Sequence, residues 1–267
     1  MPRFSRSVIL VLAIAVAAPA ATLAGTLETS YLSGDTPQYP MPPYTYHGSR
    51  SVGVIFATTP EALRAMVPEP LEPNERGIAY LIVAEQRVVK PIEGTYLEVI
   101  LSIPVSYGET AGSYMPVLYL DDPMAIIVGR EVYGYAKIEA EISWTETNDG
   151  IEIEVTRKGA KLIGLSVALG EPIEQIPQEA PAPSFNLKLI PSVTAGAAPD
   201  VKQLTATTLQ DQVVTLMRPA VAKLELASSA YDPLGEIPVL SVVGAAYSER
   251  SFVLDFGKVV HDYLMNP

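Results

Sequence analysis

Cysteine is absent from the 267 residues, and histidine occurs only as His47 and His261. Without thiols the chain has no disulfide framework and no thiolate metal site. The two imidazoles stand too far apart in sequence to form a local metal motif. No EF-hand-like spacing of Asp and Asn occurs either, which leaves only sites built from carboxylates open. Signatures of the G-x-S-x-G, Walker, G-x-G-x-x-G and H-E-x-x-H types are also missing, and no motif joins either histidine to a serine. Charged residues are scarce, at 18%, and lopsided: 18 Lys and Arg face 30 Asp and Glu, for a formal net charge of −12. Such a surface repels nucleic acid and anionic lipid, so an anionic substrate needs a local positive group to draw it in.

What is present is a globular composition. Apolar residues make up 48%, Pro numbers 24 and Tyr 14. That is enough for one well-filled core or at most two small domains. Arg3 and Arg6 precede a wholly apolar, Ala-rich run from Val8 to Ala21, and Thr22 and Ala24 put small residues where a signal peptidase reads. Residues 1–24 are therefore expected to be a cleaved export signal, with an uncleaved anchor as the alternative. The mature chain would then be exported, to periplasm or medium, with no membrane attachment after cleavage. It would hold 16 basic against 30 acidic side chains.

Residues 25–43 are polar and Pro-rich and read as an arm leading into a domain over 44–267. Val52–Ala57 is a strand candidate. Thr59 followed by Pro60 and Glu61 predicts a short helix that Pro68 stops. β-type runs dominate thereafter: Ile78–Val83, Tyr96–Val105, Tyr114–Leu120 and Met124–Val128. Residues 139–144 and 150–155 alternate polar and apolar, with a hairpin turn at Thr147-Asn148-Asp149-Gly150. Residues 171–183 read as a surface loop. Strands follow at 187–190, 201–204, 222–226 and 239–246, and helical spacing at Asp255–Leu264 predicts a closing helix. The fold class is mainly β (α+β), a barrel or sandwich in a single domain with few helices.

Lysine and carboxylate chemistry remains. Only eight lysines occur, and Lys137 alone follows an aromatic stretch, Tyr133-Gly134-Tyr135. An amine among apolar groups is desolvated, which favours the neutral form that attacks a ketone. A snorkelling strand lysine is the plain alternative.

Several segments carry a resemblance in order along the chain. They are Pro43–His47, Ala62–Glu72 (ALRAMVPEPLE), Tyr96-Leu97-Glu98 with Ile103-Pro104-Val105, Tyr119–Asp121, Gly129-Arg130-Glu131 with Lys137 six residues beyond that Glu, Leu187–Pro191, and Asp232–Val239. From Tyr44 to Leu264 the chain resembles the acetoacetate decarboxylase family. The resemblance implies a conical, mostly antiparallel β-barrel and a homo-oligomer; no cofactor and no metal is expected. It implies that Lys137 forms a Schiff base with a small keto acid and that Glu98 stands beside it as a proton relay. The family's substrate-facing arginine aligns at Ser49 or, with a single-residue shift, at Arg50. Tyr96 and Tyr133 are further candidates for lining the substrate pocket, with Tyr114 and Tyr135 behind them. Arg130 and Glu131 read as residues that aim the segment carrying Lys137.

Three positions depart from the family pattern, the first being Ser49 at the place of the substrate-facing arginine. Ile138 stands where the decarboxylases carry a second lysine, the standard case of an amine tuned by a neighbouring cation. Leu81 aligns with a second glutamate, and Glu85 is a poor substitute for it. The leading expectation is a decarboxylase-like lyase. The alternatives are an aldolase-dehydratase on the same fold and an exported, non-catalytic ligand-binding barrel.

Overall fold

A computed structural model describes residues 37–148, 150–178 and 180–265. The expected leader at 1–24 and the start of the arm at 25–36 lie outside the described residues. Tyr39–Pro267 form one compact unit; of the other, Met1–Gln38, only Pro37 and Gln38 are described.

The fold is mainly β. Its first strands are β1 (Tyr44–Ala57), β2 (Glu72–Pro73), β3 (Ile78–Lys90), β4 (Gly94–Tyr107) and β5 (Thr110–Leu120). The middle of the chain supplies β6 (Lys137–Glu139), β7 (Glu141–Thr147), β8 (Gly150–Arg157), β9 (Ala160–Leu169) and β10 (Ser184–Ile190). The last are β11 (Val201–Thr207), β12 (Leu209–Leu226), β13 (Ser241–Leu254) and β14 (Lys258–Asp262). Helices are few and short: α1 (Pro60–Met66), α2 (Pro123–Val128), a π-helical turn at Gly129–Tyr133 and a 3-10 turn at Leu234–Glu236.

Pairing runs along an open path, β14-β11-β10-β5-β4-β3-β1-β13-β12-β9-β8-β7, with β2 joined to β4 and β6 to β5. Among the described residues no pairing joins its two ends into the closed barrel that the resemblance implies. Most pairings are antiparallel, but β5 pairs in parallel with both β10 and β6, which makes the sheet mixed.

Alternation along the central strands builds two cores. Val52, Val54 and Phe56 of β1, Leu81 and Val83 of β3, and Val99 and Leu101 of β4 point into the larger one. The other face of these strands joins a smaller, tyrosine-rich cluster that includes Tyr44, Tyr46, Tyr96, Tyr133, Tyr135, Phe252 and Leu254. A register shift between Tyr46 and Ser49 interrupts β1 where it pairs with β13, and Gly48 sits there at φ +65°. Only glycine adopts that conformation without strain. The bulge changes which residues face which way. Tyr44 and Tyr46 face the small cluster before it, whereas even-numbered Val52 and Val54 face the large core after it.

α1 forms as its sequence predicts: the Thr59 side chain accepts from the Ala62 N–H, and Pro60 starts the helix. Two segments differ from the sequence expectation. Met124–Val128 is helical, because Asp122 caps it through the Ala125 N–H at 2.6 Å and Pro123 opens it. Asp255–Leu264 holds strand β14 in place of a closing helix. β11 offers an open edge, and Lys258, Val259, His261 and Asp262 take ladder positions along it. The helical spacing of the apolar residues there is overridden by that tertiary pairing.

Candidate active site

The segment from α2 to β6 is built to deliver one side chain. Gly134, at φ +80°, ends the π-helical turn, and the Tyr135 N–H returns to the Gly129 carbonyl at 2.9 Å. Lys137 then opens β6 opposite Leu118 of β5. Arg130 donates to the Lys137 carbonyl at 3.2 Å, and Glu131 accepts from the Tyr39 hydroxyl at 2.9 Å. The Gly-Arg-Glu triplet therefore braces the backbone on both sides of the turn. Gly129 does more. A Cβ placed there would stand 2.4 Å from Lys137 Cδ and 2.8 Å from its Cε. Its missing side chain is the space that the lysine stem occupies.

Lys137 is buried, with a side chain 7% exposed, and its Nζ lies 3.0 Å from Glu98 Oε1, itself buried on β4. The contact is an ion pair rather than an aligned hydrogen bond. Glu98 Oε2 accepts from Gln86 Nε2 at 3.2 Å. Lys137 Nζ also lies 5.7 Å from the centre of the Tyr96 ring and 5.5 Å from that of Tyr135. Burial raises the phenols of Tyr46, Tyr96 and Tyr135 well above the usual tyrosine range. They remain hydroxyls at any working pH and cannot serve as bases.

Two adjoining cavities, of about 180 and 190 Å³, share Tyr46, Tyr135, Lys137 and Leu254. The first continues among Tyr44, Tyr96, Tyr133, Ala125, Val128 and Met124. The second continues past Glu98 and Gln86 to Ser49, Ser51, Ser102, Ser113 and Arg250. Lys137 stands at the boundary between an aromatic chamber and a polar one. The hydroxyl of Tyr133 and Oε1 of Gln86 are buried without a protein partner, on residues that line the first and second cavity respectively.

A family model for acetoacetate decarboxylase (ADC) matches residues 31–264. The chain belongs to the acetoacetate decarboxylase family. It is 34% identical to the acetoacetate decarboxylase of Burkholderia vietnamiensis over 233 residues, 86% of this chain and 93% of that one. The Clostridium beijerinckii acetoacetate decarboxylase is 31% identical over 233 residues, 85% of this chain and 92% of that one. The crystal structure of acetoacetate decarboxylase from Legionella pneumophila has the same fold, with a TM-score of 0.78 at 24% identity. The match spans 92% of this chain and 99% of that one.

Within this acetoacetate decarboxylase fold, Lys137, Glu98, Tyr96 and Tyr133 come together around the cavities. Arg50 does not join them. It borders the polar chamber, but its guanidinium bonds Glu85 at 2.8 and 3.0 Å, pairs with Glu146 and lies over the Trp144 ring. The β1 bulge is the cause. Beyond it odd-numbered residues face the chamber, so Ser49 and Ser51 line it while Arg50 turns to the opposite side. Tyr114 packs in the large core, away from the lysine. Ile138, next to Lys137 on β6, borders a different surface depression with Asp121 and Arg157. By strand alternation position 138 faces away from the amine.

Two residues that the sequence does not single out belong to the site. Gln86 sits on the face of β3 that carries Ala84 and meets Glu98, whereas Leu81 points into the large core. Parity along β3 is the signal that separates them. Arg250 faces Ser49 across the β1–β13 ladder, and no local feature of its sequence marks it. Among the described residues no cluster of three or more His, Asp or Glu is positioned to hold a metal ion.

Proposed function

We propose that the protein is a Schiff-base lyase that acts on a small β-keto acid through an imine at Lys137. The observation that carries this reading is the buried Lys137–Glu98 pair at the junction of two cavities. Passing the Nζ proton to Glu98 gives a neutral amine beside a carboxylic acid, with no net charge left buried. The amine adds to the ketone, and the carbinolamine loses water as Glu98 returns its proton to the leaving hydroxyl. The iminium then accepts the electron pair of the bond to the carboxylate, carbon dioxide departs and an enamine remains. Glu98 takes a proton from solvent water and passes it to the enamine carbon, and attack of water on the resulting iminium frees the ketone and restores the lysine. The membership of the acetoacetate decarboxylase family supports the same chemistry.

Borohydride reduction in the presence of acetoacetate should fix one adduct, located by peptide mass at Lys137. The adduct should be absent from Lys137→Ala. No adduct on Lys137 with any keto acid would end this reading.

Gln86 favours a second reading on the same site. Glu98 has a neutral amide as its polar neighbour. One carboxyl suffices for an aldolase-dehydratase, in which the enamine attacks an aldehyde and water is then lost. Here a pyruvate adduct would form at Lys137, and acetoacetate would release no carbon dioxide. Export is proposed as well, from the basic and apolar pattern of residues 1–24. It predicts a secreted chain whose first residue, read by mass spectrometry, is Gly25.

A further inference from the structure

Across the β3–β4 ladder Gln86 pairs with Tyr96, and Ala84 with Glu98. Gln86 and Glu98 are therefore diagonal neighbours on the face that borders the polar chamber. Gln86 is only 9% exposed, and its side chain is the one amide among those that line this chamber. A glutamine amide is a single rigid plane. With Nε2 donating to Glu98 Oε2 at 3.2 Å, Oε1 is turned away from that carboxylate. Exchanging the two amide atoms would set a carbonyl oxygen against an ionised carboxylate, acceptor against acceptor. Oε1 is buried and meets no donor of the protein. It is a fixed acceptor in want of a proton, and Glu98 alone stands between it and the Lys137 amine.

The other groups of the chamber are occupied with one another. Arg50 is held by Glu85 and Glu146, and Arg250 donates to Ser248 at 3.0 Å. Ser51 and Ser248 share a hydrogen bond at 3.1 Å, Ser49 accepts from the Arg87 N–H at 3.0 Å, and Tyr135 bonds Thr207 at 2.9 Å. A substrate carboxylate does not serve Oε1 either. It brings no proton, and Glu98 repels it. A hydroxyl group does serve. It donates one hydrogen bond, and its own oxygen accepts from hydroxyls such as those of Ser102 and Ser113, which line the same chamber.

We propose that the substrate of this site carries a hydroxyl group close to its ketone, and that Gln86 recognises that hydroxyl by accepting its proton at Oε1. Gln86 then sets the substrate class: hydroxylated keto acids over their deoxy counterparts. This rests on the imine reading of Lys137 and names the substrate class for that site. The hydroxyl has to lie near the ketone because only one carboxyl group separates the amide from the amine. A deoxy substrate leaves the buried acceptor unmet, which is how a polar site rejects an analogue lacking the matching group.

The test is the initial rate of borohydride trapping on the full protein with two pairs of acids matched in size. They are 4-hydroxy-3-oxobutanoate against 3-oxopentanoate, and 5-hydroxy-3-oxopentanoate against 3-oxohexanoate. In at least one pair the hydroxylated acid should half-saturate at a concentration lower by about tenfold. Gln86→Met keeps the length of the side chain and removes the acceptor, so there the two members of that pair should become equal. Loss of the Nε2 donor to Glu98 slows both members alike, and the ratio between them isolates Oε1. If the wild-type chain forms the Lys137 adduct with both members of each pair at the same concentration, solvent meets Oε1; the hydroxyl proposal fails and the imine reading stands. A preference that survives in Gln86→Met overturns the proposal as well, since its source is then another residue. No adduct on Lys137 with any of the four acids would remove the imine reading and this one with it. The wild-type comparison needs no variant, so it decides the matter even where Gln86→Met does not fold.

Discussion

At the scale of single residues the site depends on what is missing as much as on what is present. Lys137 can be buried because Gly129 has no side chain, and Glu98 then supplies the opposite charge. Gly129 has φ −58°, so its role is space rather than backbone freedom. Gly129→Ala should displace the lysine stem by a large fraction of an ångström. Misplacing a reacting group to that degree costs about 10²-fold in turnover. The expected result is a fall in kcat/KM of about that size, with weaker borohydride trapping and an unfolding midpoint lowered modestly. A further prediction concerns the acid. Glu98→Gln keeps the shape of the pair and removes the proton relay. Turnover should drop by about 10²–10⁴-fold. An imine that still forms slowly, seen by trapping over long incubation, would separate the proton relay from the nucleophile.

At the scale of elements, α2 and the turn after it act as the mount for Lys137. Asp122 closes the helix N-terminus, and Arg130 ties the turn to the Lys137 carbonyl. Asp122→Ala should cost about 1 kcal/mol of stability, as lost N-caps do, while Asp122→Asn should retain most of it. Urea unfolding of the two variants measures the difference. Here too the limits of the sequence become clear. The long strands were legible because Val, Ile and Leu alternate with polar residues or run unbroken between turn signals. In α2 the β-formers Ile126, Ile127 and Val128 predict a strand, while Asp122-Pro123 spells the helix start that the structure adopts. β14 has its apolar residues at helical spacing and owes its strand to pairing with β11, which is far away in sequence. The site was legible only in part. A resemblance over the whole chain pointed to Lys137 and Glu98. Gln86 needed the parity of β3, and Arg250 needed the β1–β13 ladder, which no local pattern announces.

At the scale of the whole molecule, the chain carries a formal net charge of −12. That field opposes the approach of any carboxylate. Arg250 and Lys137 are local exceptions, and they act only at short range. Salt should therefore help. kcat/KM for an anionic keto acid is expected to rise, by about twofold, between low and physiological ionic strength as the repulsion is screened. Trapping of a neutral ketone should show no such rise. Among the described residues no helix is long and apolar enough to cross a membrane. Among the described residues sixteen large apolar side chains are exposed, including Val193 and Val221, and of these only Ile92 and Met124 line a cavity that holds the lysine.

The irregularity in β1 has a consequence for how such a site can change over time. Gly48 and its neighbours act as a one-residue spacer that sets which of Ser49 and Arg50 looks inward. Removing a single residue there would exchange the two. An arginine would swing into the polar chamber, and a serine would replace it against Glu85. The chamber would then hold the guanidinium of Arg50 beside that of Arg250. A slip of one codon thus offers a route by which a positive charge moves from one face of the strand to the other. The lysine, mounted on a separate loop, would stay where it is.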